Sequence, residues 1–264
     1  MESRNLNPRA VVFDVYSTLL LVGPPPSDAE ARWEQLWSTF LPRPIRWSRL
    51  EFSAACSQVI ARRHAEARAR GISWPEIQWP SIVGDLIPEL RHLPEADQEE
   101  FIYAHIQTGR TIQLDPAAAA TLQKLARRGT TLGIASNSQA YTLRELDSEL
   151  ARHALSLEIF QPELCFWSFQ HGFSKPDPHV FQLLTARLEA RGIAPSEALM
   201  VGDRSDNDIQ PASRFGWQTW QVTTADAPNG GPWTSLLSQF QTGAPERSPS
   251  SAPATSPATK LSTP

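Results

Sequence analysis

Val11-Val12-Phe13-Asp14-Val15-Tyr16-Ser17-Thr18-Leu19-Leu20 is the stretch that decides how the rest of the chain reads. An apolar run stops on the Asp14 carboxylate, a hydroxyl-rich turn follows at Ser17 and Thr18, and apolar residues resume. Unbroken apolarity, rather than alternation, suits a strand buried on both faces, the pattern of a parallel sheet. An acid at the carboxyl end of such a strand lies on the edge where open α/β sheets gather their ligands. One aspartate after one strand is common, so its meaning depends on what the remaining sequence brings to that edge.

Downstream, Leu21-Val22-Gly23-Pro24-Pro25-Pro26 leaves the strand rigidly. Ser27 and Glu30 have the spacing of a capping box, and Trp33, Leu36, Trp37 and Phe40 then form one helical face. Ser48 and Glu51 repeat the capping signal for a second helix, whose period continues through Leu50, Cys56, Val59 and Ile60 to a stop at Gly71. Breaks at Trp74-Pro75 and Trp79-Pro80 separate shorter helices, and a last one runs from Pro94 through Ile106. Beyond residue 111 the pattern changes. Asp115-Pro116 starts a helix that Gly129 ends, Thr130 to Ala135 reads as a strand, and Tyr141 to Leu150 as a helix. Strands follow at Glu163 to Trp167, Ala198 to Val201 and Trp217 to Val222, with a helix from His179 to Arg191 stopped by Gly192. Strands alternating with helices predict βαβ units and a mostly parallel sheet.

The fold expected is therefore α/β: a Rossmann-like three-layer core from residues 1–23 and 112–241, with an inserted all-helical cap over 24–111. Residues 242–264, dominated by Pro, Ser, Thr and Ala, cannot bury enough apolar surface to offset their ordering entropy and are expected to be disordered.

A length of 264 residues with 41% apolar side chains allows a large core, and a net charge of −4 without long single-sign runs argues against a nucleic-acid surface. The two cysteines, Cys56 and Cys165, have neither metal-site nor disulfide-framework spacing. There is no signal-like or membrane-spanning apolar run, so a cytoplasmic protein without membrane partners is expected. Oligomeric state is not readable.

Four polar clusters fall at strand ends: Asp14, Ser136-Asn137, Lys175, and Asp203 with Asp208. Each has a chemical use on a shared edge. Asp14 could act as a nucleophile, Ser136 and Asn137 could hold oxyanions, and Lys175 could balance charge. Asp203 and Asp208 are hard oxygen donors suited to Mg²⁺. Taken singly, each is more readily a turn, a cap or a solvated lysine.

In this order, and around an insert at this place, the set resembles the haloacid dehalogenase-like hydrolase superfamily with a C1-type cap. Gly202-Asp203-Arg204-Ser205-Asp206-Asn207-Asp208 fits its G-D-x-x-x-x-D motif, and Phe173-Ser174-Lys175-Pro176 fits its lysine context. The resemblance implies Asp14 as nucleophile and Lys175 as charge balancer, with Thr18, Ser136 and Asn137 against the substrate. It implies a Mg²⁺ site at Asp14, Asp203, Asp208 and the backbone carbonyl of Tyr16, and a small, anionic substrate under the cap.

One position departs. The family's phosphatases carry a second aspartate two residues after the nucleophile, as the proton donor; here it is Tyr16. A phenol with an ordinary pKa near ~10 is a poor proton shuttle at neutral pH. The family's 2-haloacid dehalogenases have tyrosine there, in a D-x-Y-G-T context, but Ser17 replaces that glycine and the Gly-Asp of the fourth motif is retained. Three readings stay open: a Mg²⁺-dependent phosphohydrolase using an aspartyl-phosphate on Asp14, a metal-independent dehalogenase, and a binding or regulatory protein that has lost turnover. In the cap, Arg62, Arg63, His64, Arg68 and Arg70 read as a solvated face, and the many tryptophans as packing.

Overall fold

A computed structural model describes residues 6–41 and 44–240. The stretch around Asp14 begins with β1 (Ala10–Phe13), all four residues fully buried. After a tight turn comes β2 (Leu20–Gly23), then four helices: α1 (Ala29–Phe40), α2 (Arg49–Ala69), α3 (Trp79–Leu86) and α4 (Glu95–Gly109). The chain returns through β3 (Thr111–Leu114), antiparallel to β2, and continues as α5 (Pro116–Arg127), β4 (Thr131–Ser136), α6 (Tyr141–Ala151), β5 (Phe160–Trp167), α7 (Ser168–His171) and α8 (Pro178–Ala190). It closes with β6 (Ala198–Gly202), a π-helical turn over Ser205–Ile209, α9 (Gln210–Arg214), β7 (Gln218–Val222), β8 (Gly230–Gly231) and α10 (Trp233–Gln239).

Six strands form one sheet in the order β5-β4-β1-β6-β7-β8, every neighbouring pair parallel. The order steps outward from β1 in both directions, so the connections reverse beside it, and such a switch point opens a crevice at the strands' carboxyl ends. Burial on both faces explains the unbroken apolar run: Val11 and Phe13 pack into one core with Leu122, Leu146 and Leu236, while Ala10 and Val12 face Phe181, Leu184 and Ala212. This is the predicted α/β architecture.

The helices between β2 and β3 enclose a third core, built on Trp33, with Trp37, Phe52, Ile82 and Phe101. Trp33 lies 5.2 Å from the Phe52 ring and 5.6 Å from that of Trp37, the packing expected of these tryptophans, while Trp74 is exposed. The capping box at Ser48 forms as read, with Ser48 and Glu51 exchanging bonds. The one at Ser27 does not. The helix begins a residue later, capped by Asp28 without a side-chain bond, because Asp28 pairs with Arg32 at 2.8 Å and Glu30 with Arg49 at 2.9 Å. The short strands β2, β3 and β8 and the helix α10 carry no strong period and were not predicted. The tail expected over 242–264 lies outside the described residues.

Candidate active site

The turn after β1 is tight. Ser17 takes a left-handed conformation with φ of 60°, and Ser17 and Leu20 donate backbone bonds to Leu20 and Val15. A left-handed non-glycine residue is strained. The turn fixes Asp14, whose amide is also held by the Val201 carbonyl at 2.9 Å.

Lys175 reaches over from the loop before α8. Its Nζ donates to Asp14 Oδ1 at 2.7 Å and to Asp208 Oδ1 at 2.5 Å, all three side chains being buried or nearly so. Asp208 Oδ2 accepts the Arg204 amide at 3.1 Å, so both its oxygens already have donors. Asp203 is half-buried, and its carboxylate accepts the Thr18 hydroxyl at 3.3 Å and a hydrogen bond from its own backbone amide. Its main-chain carbonyl is held by Gln221 Nε2 at 2.9 Å. Gly202 lets these groups approach: a Cβ there would stand 2.4 Å from Asp208 Oδ2.

One ligand oxygen each from Asp14, Asp203 and Asp208 lies within 4.8 Å of the others, a compact set of hard donors. Burial pushes the Asp14 carboxyl up to about 6; Lys175 opposes the shift and Asp208 adds to it. Burial also raises Asp203, with Asp208 beside it. Lys175 stays charged: its own burial works against the cation, but Asp14 and Asp208 more than compensate. Three crowded carboxylates against one ammonium leave excess negative charge, the condition that a divalent cation relieves. Asp203 and Asp14 are the readier ligands, since Lys175 and Arg204 already occupy Asp208.

The remaining expected residues divide. Ser136 ends β4 fully buried, and its Oγ has no hydrogen-bond partner among the described residues. Such an orphan is costly unless a ligand supplies its partner. Asn137 instead spends its side chain on the protein, donating to the Lys175 carbonyl at 2.8 Å and accepting the Lys175 amide at 2.7 Å. Both bonds place the lysine, and of its two amide donors one is spent in doing so. Thr18 likewise spends its proton on Asp203.

Tyr16 points its hydroxyl into a polar cluster that the sequence reading missed. The hydroxyl donates to Glu145 Oε2 at 2.5 Å and accepts from the Thr142 hydroxyl at 2.8 Å and from Arg110 Nη2 at 2.8 Å. Arg110 follows α4, bonds the same Glu145 oxygen at 2.7 Å and lies 4.4 Å above the Tyr16 ring. Burial, with Glu145 adding to it, drives the phenol far above its ordinary pKa even though Arg110 opposes this. Glu145 carried little signal: its helical face is shared with the buried Thr142, three residues before it, and Glu149, four after, and that face has no apolar stripe in the sequence. Arg110 had none.

With this geometry in hand, the profile of the haloacid dehalogenase-like hydrolases matches residues 8–216, most of the chain. The protein belongs to that family. This hydrolase is 34% identical over 119 residues to a phosphoserine phosphatase of Thermus thermophilus, and 33% over 107 residues to a glyceraldehyde 3-phosphate phosphatase of Methanopyrus kandleri. These matches cover 44% and 40% of this chain, and 43% and 42% of the relatives, so it aligns with less than half of either. Among solved structures, a 2-haloacid dehalogenase from Pseudomonas syringae aligns with a TM-score of 0.56 at 19% identity, over 88% of this chain and 97% of that one. A phosphatase of the family from Thermococcus onnurineus aligns at 0.50 and 21% identity, over the same shares. Both show the fold.

Proposed function

We propose that this hydrolase is a Mg²⁺-dependent phosphohydrolase of a small phosphorylated metabolite, with Asp14 as nucleophile. The observation that carries the reading is the third carboxylate: Asp203 stands with Asp14 and Asp208 around one lysine. The phosphatase relatives support the same choice. Mg²⁺ would be held by Asp14, Asp203 and the Tyr16 carbonyl with Asp208 behind them, and would neutralise charge on the transferring group.

An Asp14 oxygen forms a bond to phosphorus as the bond to the leaving oxygen breaks. Water then attacks the aspartyl-phosphate, releasing phosphate and restoring the carboxylate. Lys175 keeps Asp14 ionised despite its burial, and the Ser136 hydroxyl donates to a phosphoryl oxygen. No carboxyl stands where the family's phosphatases keep their proton donor, so leaving groups that depart as stable anions, acyl phosphates and anhydrides among them, are turned over best.

Tyr16→Phe tests this division of labour, since it keeps the backbone carbonyl and removes the phenol. We expect kcat to stay within about threefold of wild type, because a phenol tied to Glu145 delivers no proton. A drop of about a hundredfold, the usual contribution of a general acid, would assign the proton to Tyr16 after all.

Two measurements test the reaction class. Phosphate release from a panel of phosphorylated metabolites is expected with Mg²⁺ and lost in EDTA; chloride release from a 2-haloacid in EDTA would instead favour the dehalogenase reading. Stabilisation of the protein by Mg²⁺ is expected to depend on pH. Ligation needs ionised carboxylates, and Asp14 protonates near about 6 in the metal-free protein. The Mg²⁺-induced rise in Tm should therefore be full at pH 8 and shrink as pH falls through that value. No rise at pH 8 would remove the metal from the proposal.

A further inference from the structure

We propose that Trp233, at the start of α10, is a positioning residue for the nucleophile turn. The profile match ends at residue 216, so β8 and α10 lie beyond it. Yet this segment crosses back under the reactive edge. The Trp233 indole Nε1–H donates to the Thr18 carbonyl at 3.2 Å, a buried bond between residues 215 positions apart. Its ring stacks on Phe13, the residue before Asp14, with centroids 6.2 Å apart and planes at 29°. One side chain thus grips the turn at both ends.

The turn needs such a grip. Ser17 holds it in a left-handed conformation that L-residues disfavour. Within the turn the backbone bonds are those of Ser17 and Leu20 and a longer one from Thr18 to Val15 at 3.3 Å; from outside, the main chain is tied at Asp14 to the Val201 carbonyl and at Leu19, whose carbonyl accepts the Asp115 amide at 3.1 Å. The Thr18 peptide that Trp233 holds is the one whose hydroxyl donates to Asp203. Fixing the carbonyl fixes the hydroxyl's direction, and with it the separation of Asp14 from Asp203. A buried indole has only this N–H to give, and a carbonyl on a strained turn is a partner that water cannot supply there. The strap is itself anchored, because Trp220 Nε1 donates to the Gly231 carbonyl at 3.2 Å and α10 packs on α5.

The test is amide hydrogen exchange of the full chain in EDTA, which needs neither metal nor substrate. Trp233→Phe keeps the stack and removes the donor. The Ser17, Thr18 and Leu20 amides are expected to exchange about five- to tenfold faster, the shift in local opening that one lost buried hydrogen bond produces. Trp217→Phe is the control. It loses an equivalent bond, to Thr185 Oγ1 at 3.0 Å, in the other core layer, and should leave the turn unchanged. Turnover of Trp233→Phe should fall in kcat with KM within about twofold, the signature of a displaced reacting group. Unchanged turn exchange, or acceleration spread equally over β4, would overturn the proposal. Should Trp233→Phe fail to fold, Trp233→Tyr is read by the same exchange. The inference rests on the Asp14 edge being the working site. If wild type released no phosphate while the exchange contrast held, the phosphohydrolase reading would fail and the positioning role would stand.

Discussion

Lys175→Met is expected to destabilise the metal-free protein by about 3–5 kcal/mol at pH 8, the cost of removing one partner from a buried charge cluster. The substitution keeps the volume of the side chain and deletes its ammonium. Asp14 and Asp208, each within 2.7 Å of Nζ or closer, would be left buried without the ammonium that bridges them, and Asp203 would add a third negative charge. The cost should depend on pH in a definite direction. The folded-state pKa of Asp14 is already raised to about 6 above its ordinary value of 3.8. Its contribution to stability is therefore full below the unfolded value and is lost as pH rises through about 6. Without the lysine the pKa rises further, so the variant recovers on acidification and is worst at high pH. Urea unfolding at pH 5 and pH 8 measures this. A penalty equal at both, or under about 1 kcal/mol as for an exposed ion pair, would show that Lys175 does not compensate these carboxylates. Saturating Mg²⁺ should restore part of the loss, because it binds the folded chain alone.

The sheet and the site were unequally legible. Continuous apolar runs ending on Asp14, Ser136 and Gly202 marked strands buried on both faces, and that burial is what the structure has. The site's carboxylates and lysine were legible for the same reason: parallel strands deliver their ends to one edge whatever the loops between them do. What could not be read was how each polar side chain divides its bonds. Asn137 and Thr18 look like substrate groups from their place in the motifs, but the nearest atoms claim them first: the Lys175 main chain for one, the Asp203 carboxylate for the other. The Tyr16 cluster joins residues up to 129 positions apart in sequence, and no local period encodes a meeting of that kind. Trp233 is further still from its partner. Short-range spacing encodes elements and their ends; partners brought together by the sheet's own closure must be seen.

Asp14→Asn should abolish turnover, lowering kcat by on the order of 10³-fold or more, as removal of a nucleophile does elsewhere. A carboxamide has nearly the shape of the carboxylate but neither its charge nor its nucleophilicity, so the loss would come from chemistry rather than collapse. Stability supplies the check. Lys175 keeps Asp208 at 2.5 Å as a partner, so the variant should fold. In wild type, ionising Asp14 works against the folded state across the window between its ordinary pKa and about 6. The asparagine has no such titration. In EDTA the stability difference should therefore shift in favour of the variant as pH is raised from 4 to 7. The Mg²⁺-induced rise in Tm should weaken with the loss of one ionised ligand while Asp203 remains. Residual turnover within about tenfold of wild type would mean that another group attacks phosphorus. A folded, inactive variant whose pH-stability curve parallels that of wild type would instead separate catalysis from the raised carboxyl, and would place the titrating group elsewhere in the cluster, at Asp203.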